Sequence, residues 1–342
     1  MPLTRLPPQP DGVDWPTDEW PTGVLGPDHP ATEQLDAVFT PAGIDAVGDT
    51  EALLIVQGGR LLAERYGPGR GPEDTCHSWS MAKSMTHALT GMLVGDGRVN
   101  VSAPHVAPEW REPGDPRGEI TVDQLLRMSS GLQFTESYVP GQGSDVIEML
   151  FGRGQGDVAA FAASFPLAHA PDAVWSYASG TTNIVSRRLA EVVGASGPGF
   201  EAWMRERLFA PLGMRSATPK FDGSGTFIGS SFCFCTPQDF ARFGLLYLRD
   251  GVWGGRRLLP EGWVDYARTR TPGSGGPDGT YGAHWWLETA GPGSFSANGY
   301  DGQYIGVVPD LDLIVIRNGR TPLEKKEALA AWLAALVDTF RV

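Results

Sequence analysis

The sequence has few lysines, no run of basic residues and no long apolar segment. These features exclude several classes of function. Its 342 residues include four lysines against 23 arginines, and its formal net charge at pH 7 is −13. An acidic chain without a basic run disfavours binding to nucleic acid or to an anionic membrane surface. The richest apolar stretch, residues 329–337, is too short to span a membrane. We therefore expect a small-molecule substrate and neither of these partners.

Cysteine is also scarce, and the possible metal ligands are scattered. Cys233 and Cys235 have the wrong spacing for a zinc pair, and His77, His87 and His284 show no His-Glu-x-x-His pattern. We therefore expect no metal and no organic cofactor. The three cysteines fit reduced thiols, and the N-terminal residues lack the apolar core of a secretory signal, so we expect a cytoplasmic protein.

The remaining composition predicts a well-packed globular protein. Hydrophobic residues make up 41% of the chain and aromatic residues 10%. Residues 1–34 form an arm rich in proline and tryptophan, which we expect to be extended and pinned to the body by its tryptophans. The alternative for the arm is a partner-binding peptide. Residues 35–342 are predicted to form a single domain.

Strand patterns lie near both ends of the chain, and helical patterns lie between them. Residues 52–63 and residues 304–316 each predict a β-hairpin, and residues 101–240 or thereabouts predict a helical lobe. The fold class is therefore α+β, with one antiparallel sheet built from N- and C-terminal strands and flanked by helices. A site is expected in the cleft between the sheet and the lobe.

Ser80 and Lys83 stand at the predicted beginning of a helix. Residues three apart share a helix face, so the lysine amine can lie beside the serine hydroxyl. The unpaired N–H groups at a helix N-terminus favour negative charge, and a neighbouring amine can activate the hydroxyl as a nucleophile. Lysine can lose its proton to act as a base, whereas arginine cannot. The alternative is an ordinary serine N-cap beside a surface lysine.

Two later motifs add to this pattern. Tyr177-x-Ser179 begins 97 residues after Ser80, and the triplet 297–299 ends in glycine before the last predicted hairpin. In this order the motifs resemble those of the serine β-lactamase and penicillin-binding-protein superfamily. The class C-like branch is the most similar, and it includes family VIII carboxylesterases and 6-aminohexanoate-dimer hydrolases. The resemblance covers residues 35–342 and implies a β-lactamase/transpeptidase-like fold.

The resemblance implies an acyl-enzyme mechanism on Ser80. Lys83 would accept or share the serine proton, and its charge would lower the pKa of Tyr177. Tyr177 would then act as general acid and base. The backbone amides of Ser80 and Tyr300, next to Gly299, would hold the oxyanion.

Two departures from the family pattern bear on the substrate. The second motif ends in Ser179 instead of asparagine, and the third is Ala-Asn-Gly, where β-lactamases usually carry Lys-Thr-Gly or His-Thr-Gly. Ala297 cannot supply a cation for a substrate carboxylate, although Arg317 or Arg320 could reach in from the last strand. We therefore expect uncharged esters or small amides as substrates.

Ser179 and Trp286 complete the expected substrate-binding set. Trp286 is expected to line one side of the acyl pocket, and the alternative is that its ring packs in the core.

Hydrolysis is the leading prediction for the chain. Acyl transfer on the same fold, a β-lactamase or D-aminopeptidase-type amidase, and a non-catalytic binding protein are the alternatives, and the oligomeric state is open.

Overall fold

A computed structural model of the chain describes residues 3–139, 141–275 and 279–341. Its strands are β1 (Asp49–Gln57), β2 (Arg60–Tyr66), β3 (Cys76–His77), β4 (Thr218–Pro219), β5 (Cys233–Cys235), β6 (Val252–Trp253), β7 (Arg256–Arg257), β8 (Thr280–Tyr281), β9 (Trp286–Leu287), β10 (Phe295–Gly299), β11 (Gln303–Val308) and β12 (Leu313–Arg320).

Most of the helices lie between the N-terminal and the C-terminal strands of the chain. The helices are α1 (Ala31–Ala37), α2 (Pro41–Val47), α3 (Met81–Gly95), α4 (Val122–Leu126), α5 (Asp145–Phe151), α6 (Val158–Ala163), α7 (Ser179–Val193), α8 (Pro198–Met204), α9 (Ala210–Leu212), α10 (Pro237–Leu248), α11 (Trp263–Ala267) and α12 (Lys326–Asp338). None of the helices in the described ranges is both long and apolar enough to cross a bilayer.

The main sheet has seven antiparallel strands in the order β2-β1-β12-β11-β10-β9-β8. Strand β1 turns into β2 through Gly58 and Gly59, both with positive φ, as a two-residue hairpin turn requires. It then pairs with β12, where Ile55 lies opposite Val315. The predicted α+β fold, with one sheet assembled from both ends of the chain, is confirmed.

Alternate residues of the central strands bury on opposite faces of the sheet. Leu54 and Ile316 join the larger core beneath α3 and the helical lobe. Leu53 and Val315 join a smaller core that is covered by α1, α2 and α12. This period of two places the sheet between two helical layers, and it leaves α3 fully enclosed on the side of the lobe.

The expected helical lobe contains α4 to α9. Its predicted limit near residue 240 falls inside α10, which packs against β11 and β12. Within the lobe, residues 144–165 form two helices, α5 and α6, because Gly152, Gly154 and Gly156 interrupt the helical pattern and Asp157 caps the second helix.

The arm packs against the rest of the chain, and α1 spans its predicted boundary at residue 34. Trp20 is 8% exposed, and the Trp15 ring lies 5.1 Å from that of Trp253. The backbone of Leu61 in β2 donates to Pro21 and accepts from Gly23. The arm therefore packs as an extra edge segment beside β2.

We expect Trp20→Ala to lower the free energy of unfolding by about 3 kcal/mol, because a large buried ring is replaced by a cavity. Val24→Ala is the matched control, since Val24 lies in the same arm and is 87% exposed; its effect should stay within about 0.5 kcal/mol. Urea denaturation measures both. Equal effects of the two substitutions would contradict a packed arm.

Candidate active site

The hydroxyl of Ser80 is free of the capping role that serine usually takes at a helix N-terminus. Ser80 immediately precedes α3, yet its side chain makes no cap hydrogen bond. The preceding residue, Trp79, has a φ of 43°, which is a strained conformation for a bulky side chain. The N-cap alternative for Ser80 is therefore wrong, and a strained backbone presents the hydroxyl elsewhere.

Lys83 is the partner of that hydroxyl. Its side chain is 1% exposed, and its Nζ lies 2.9 Å from Ser80 Oγ, 2.8 Å from Ser179 Oγ and 2.9 Å from the carbonyl oxygen of Ser230. Burial lowers the pKa of Lys83 to about 8, although the charge of Glu136 opposes the shift. A lysine with this pKa can act as a general base close to neutral pH.

Tyr177 lies over the same amine, with its ring centroid 4.8 Å from Lys83 Nζ. Burial raises the pKa of Tyr177 above its ordinary value, and the charge of Glu136 raises it further, whereas a hydrogen bond with Ser80 lowers it. The expectation that Lys83 lowers the Tyr177 pKa is wrong, because desolvation of the phenolate dominates. The phenol keeps its proton and suits the role of general acid.

The third motif is built into the sheet beside the nucleophile. Gly299 ends β10, and a Cβ atom at this position would lie 2.4 Å from the carbonyl oxygen of Ser78. Only glycine permits so close an approach. The following residue, Tyr300, packs its ring against Trp79 with centroids 5.6 Å apart. The predicted Gly299 and Tyr300 therefore both lie at the Ser80 loop.

Two backbone amides at this junction are available to a ligand. Among the turn and loop hydrogen bonds of the described residues, neither the amide of Ser80 nor that of Tyr300 donates to a carbonyl. Both residues line the same cleft. This arrangement suits an oxyanion hole, and that role stays a prediction.

Ser179 and Trp286 are both brought to the site, where they contact Lys83 and Tyr177. Ser179 is 1% exposed, and its hydroxyl lies between Lys83 and Glu136. Trp286 stacks on the ring of Tyr177 at 5.3 Å and is not among the described residues that line the cleft. Both side chains therefore hold Lys83 and Tyr177 in place, and their expected substrate-binding roles stay predictions.

The cleft beside Ser80 has a volume of about 470 Å³ and a largely apolar lining. The apolar side chains that face it include Trp79, Tyr138, Ile147, Phe151 and Tyr300. Its described lining holds one carboxylate, Glu148, which pairs with Arg153, and neither a lysine nor an arginine. The cleft therefore suits an uncharged substrate with an apolar group.

Arg317 and Arg320, which could have replaced the cation that Ala297 does not supply, make other contacts. Arg317 is fully buried and donates to the carbonyl oxygens of Asp49, Asp301 and Gly302. Arg320 forms a salt bridge with Glu51 at 3.1 Å. Ala297 itself is buried on the α3 side of β10 and contributes only a methyl group. These contacts do not support the possibility that either arginine rescues carboxylate binding.

The sequence analysis did not identify Glu136, Tyr138 and Ser230, which also contact this network. Glu136 and Tyr138 lie in the loop between α4 and α5, and Ser230 precedes β5. Their separation from Ser80 follows no helical or strand period. The available sequence signal was the carboxylate of Glu136 close to two aromatic residues in the chain. This pattern is too common to indicate a functional site.

The buried histidines His87 and His284 make hydrogen bonds within the core of the protein. His284 contacts the carbonyl oxygen of Leu126 and the hydroxyl of Thr182, and His87 contacts the hydroxyl of Tyr247. In the ranges that the structure describes, no three or more potential ligands among His, Cys, Asp and Glu come together.

Comparison with known proteins adds a family and a fold. A family model described as Beta-lactamase matches residues 46–338. A 6-aminohexanoate-dimer hydrolase from Paenarthrobacter ureafaciens is 25% identical in an alignment of 303 residues that covers 80% of this chain and 73% of the relative.

Two solved structures show the same fold. A candidate 6-aminohexanoate-dimer hydrolase from Bacillus anthracis has a TM-score of 0.78 and 20% identity, with 99% of this chain and 90% of that chain covered. A family VIII carboxylesterase has a TM-score of 0.68 and 14% identity, with 92% and 99% covered. The sheet and lobe of this chain thus form a β-lactamase/transpeptidase-type fold.

We expect Lys83→Arg to reduce ester turnover by roughly 10²–10⁴-fold, the scale of a lost general base. Arginine keeps the positive charge but cannot give up a proton. Turnover of p-nitrophenyl acetate measures the effect, and circular dichroism checks that the variant is folded. Near-normal turnover would show that Lys83 supplies charge alone.

The kcat/KM of the enzyme should rise with pH around a midpoint near 8. Below this pH Lys83 is protonated and cannot accept the Ser80 proton, and above it the amine is neutral and active. Because the Tyr177 pKa is raised, no alkaline loss of activity is expected below pH 10. Initial rates from pH 5 to 10 test this, and a midpoint near pH 4 would indicate a carboxylate base instead.

Proposed function

Because the chain belongs to the beta-lactamase family, we propose that it is a serine hydrolase that cleaves small carboxylic esters or amides through an acyl-enzyme on Ser80. The observation that carries this proposal is the 2.9 Å contact between Ser80 Oγ and the buried amine of Lys83. A free hydroxyl beside a lysine with a pKa of about 8 is an activated nucleophile.

In the acylation step the Ser80 hydroxyl gives its proton to neutral Lys83 as Oγ attacks the substrate carbonyl. The amides of Ser80 and Tyr300 hold the oxyanion. The Tyr177 phenol then donates its proton to the departing alkoxide or amine, which its raised pKa allows at neutral pH. The C–O or C–N bond breaks, and the acyl group stays on Ser80.

The deacylation step begins with a proton transfer between the same two groups. The Tyr177 phenolate recovers a proton from the Lys83 ammonium, since the pKa of Tyr177 lies well above that of Lys83. Neutral Lys83 then accepts a proton from the water that attacks the acyl carbon. The bond between this carbon and Ser80 Oγ breaks, Lys83 returns the proton to Oγ, and the acid product leaves. In acyl transfer, which differs only in the acceptor, an alcohol or amine replaces this water.

The proposed substrates are uncharged at the acyl side. The apolar cleft offers no cation from its described lining, Ala297 contributes a methyl group, and Arg317 is committed to backbone carbonyls. A buried carboxylate without a partner costs several kcal/mol. Neutral esters with a small apolar acyl group therefore fit this cleft better than carboxylate-bearing β-lactams.

Small amides are included for two reasons. The relative from Paenarthrobacter ureafaciens is named for hydrolysis of a 6-aminohexanoate dimer, whose two units are joined by an amide. An amine leaves only after it is protonated, and the protonated Tyr177 can supply that proton.

We also place the protein in the cytoplasm, because its three cysteines are free, including Cys233 and Cys235 with sulfur atoms 3.8 Å apart.

We expect p-nitrophenyl acetate or butyrate to react with at least about 100-fold higher kcat/KM than nitrocefin, because about 2.7 kcal/mol of lost carboxylate pairing corresponds to that ratio. Both substrates are measured on one enzyme preparation. Faster turnover of nitrocefin would overturn the ester proposal in favour of a β-lactamase.

Ser80→Ala is the control for this comparison. Its hydrolysis of both substrates should fall to the uncatalysed background while its thermal unfolding stays close to that of the wild type. Retention of ester hydrolysis in Ser80→Ala would show that another group is the nucleophile.

A further inference from the structure

Glu136 is a carboxylate that faces the catalytic network without a basic partner among the described salt bridges. Its Oε2 accepts from the backbone amide of Ser179 at 2.5 Å. Its Oε1 accepts from the hydroxyl of Ser179 at 2.9 Å and from that of Tyr138 at 2.8 Å. Three neutral donors therefore hold the carboxylate directly behind Ser179.

This arrangement fixes the direction of the Ser179 hydroxyl. A serine hydroxyl has one hydrogen, and a carboxylate can only accept. The hydrogen of Ser179 is therefore committed to Glu136, and only the lone pairs of its oxygen remain for Lys83 Nζ at 2.8 Å. The carbonyl oxygen of Ser230, 2.9 Å from the same amine, is likewise an acceptor only.

The two acceptors determine how a neutral Lys83 amine is oriented. A neutral amine has two N–H bonds and one lone pair. If both N–H bonds are directed to Ser179 and Ser230, the lone pair is the group that remains for Ser80 Oγ. Ser80 is then the donor in that contact, as a nucleophile that gives up its proton must be.

We propose that Glu136 is a positioning residue, which acts through Ser179 to turn the lone pair of neutral Lys83 toward the hydroxyl of Ser80. The inference rests on the proposed function and adds a residue to its mechanism. Without the carboxylate, the Ser179 hydroxyl is free to rotate and donate to Lys83. That bond would occupy the lone pair and leave Ser80 without a base.

The charge of Glu136 gives the proposal a second consequence. The carboxylate raises the pKa of Lys83 against the lowering by burial. Removing the charge in Glu136→Gln therefore lowers the Lys83 pKa further. The midpoint of the pH profile should move to lower pH even as the maximal rate falls, which a purely structural defect would not produce.

The test uses the rate at which a fluorophosphonate labels Ser80, followed by intact mass spectrometry from pH 5 to 10. In this reaction an O–P bond forms, the P–F bond breaks, fluoride leaves and the serine proton passes to Lys83. We expect Glu136→Gln and Ser179→Ala each to slow labelling by about 10–100-fold, part of the effect of a general base. Glu136→Asp, which keeps the carboxylate, should recover part of the rate.

A double variant measures whether Glu136 acts through Ser179. Since the two residues form one chain of contacts, Glu136→Gln combined with Ser179→Ala should label no more slowly than the slower single variant. Glu191→Gln is the matched control, because Glu191 lies on the same helix as Ser179 and pairs with Arg188 at the surface. Its labelling rate should equal that of the wild type.

The outcomes separate this inference from the proposed function. Multiplicative losses in the double variant, or an unchanged rate and pH profile in Glu136→Gln, would overturn the role of Glu136. Wild-type protein that takes the label but hydrolyses neither ester nor amide would overturn only the proposed substrates. Wild-type protein that takes no label would overturn both, since Ser80 would then not be activated.

Discussion

The burial of one amine is the constraint on which the rest of this site depends. Lys83 lies three residues after Ser80 in α3, and burial disfavours its charged ammonium form, which lowers its pKa to about 8. This burial is tolerable because three oxygen atoms surround Nζ and satisfy its hydrogen bonds. Burial thus makes the lysine a base, and the oxygens keep it in one position.

The fold supplies that burial by enclosing α3 between the sheet and the helical lobe. The sheet is assembled from both ends of the chain, so β10 is carried to the N-terminal end of α3. The absence of a side chain at Gly299 lets this strand approach the Ser78 carbonyl. Ser80 and the backbone amides of Ser80 and Tyr300 are therefore positioned by backbone packing, which varies less than side-chain contacts.

Desolvation also assigns the acid and the base. The same buried environment lowers the pKa of Lys83 and raises that of Tyr177, because it disfavours the charged form of each. Two neighbouring groups are thereby separated into a base and a protonated acid, as two-step acyl chemistry needs. The cleft beside Ser80 continues this environment with a largely apolar lining, which supports the proposal of uncharged substrates.

The sequence by itself determined the α+β class, both hairpins and the Ser80, Lys83 and Tyr177 set, because strand alternation, helical period and motif order are local signals. Only the tertiary structure decided the pKa direction of Tyr177, the positioning contacts of Ser179 and Trp286, and the presence of Glu136 at the amine. These depend on burial and on contacts between segments far apart in the chain. No spacing rule encodes such contacts, since the desolvation of a group is a property of everything packed around it.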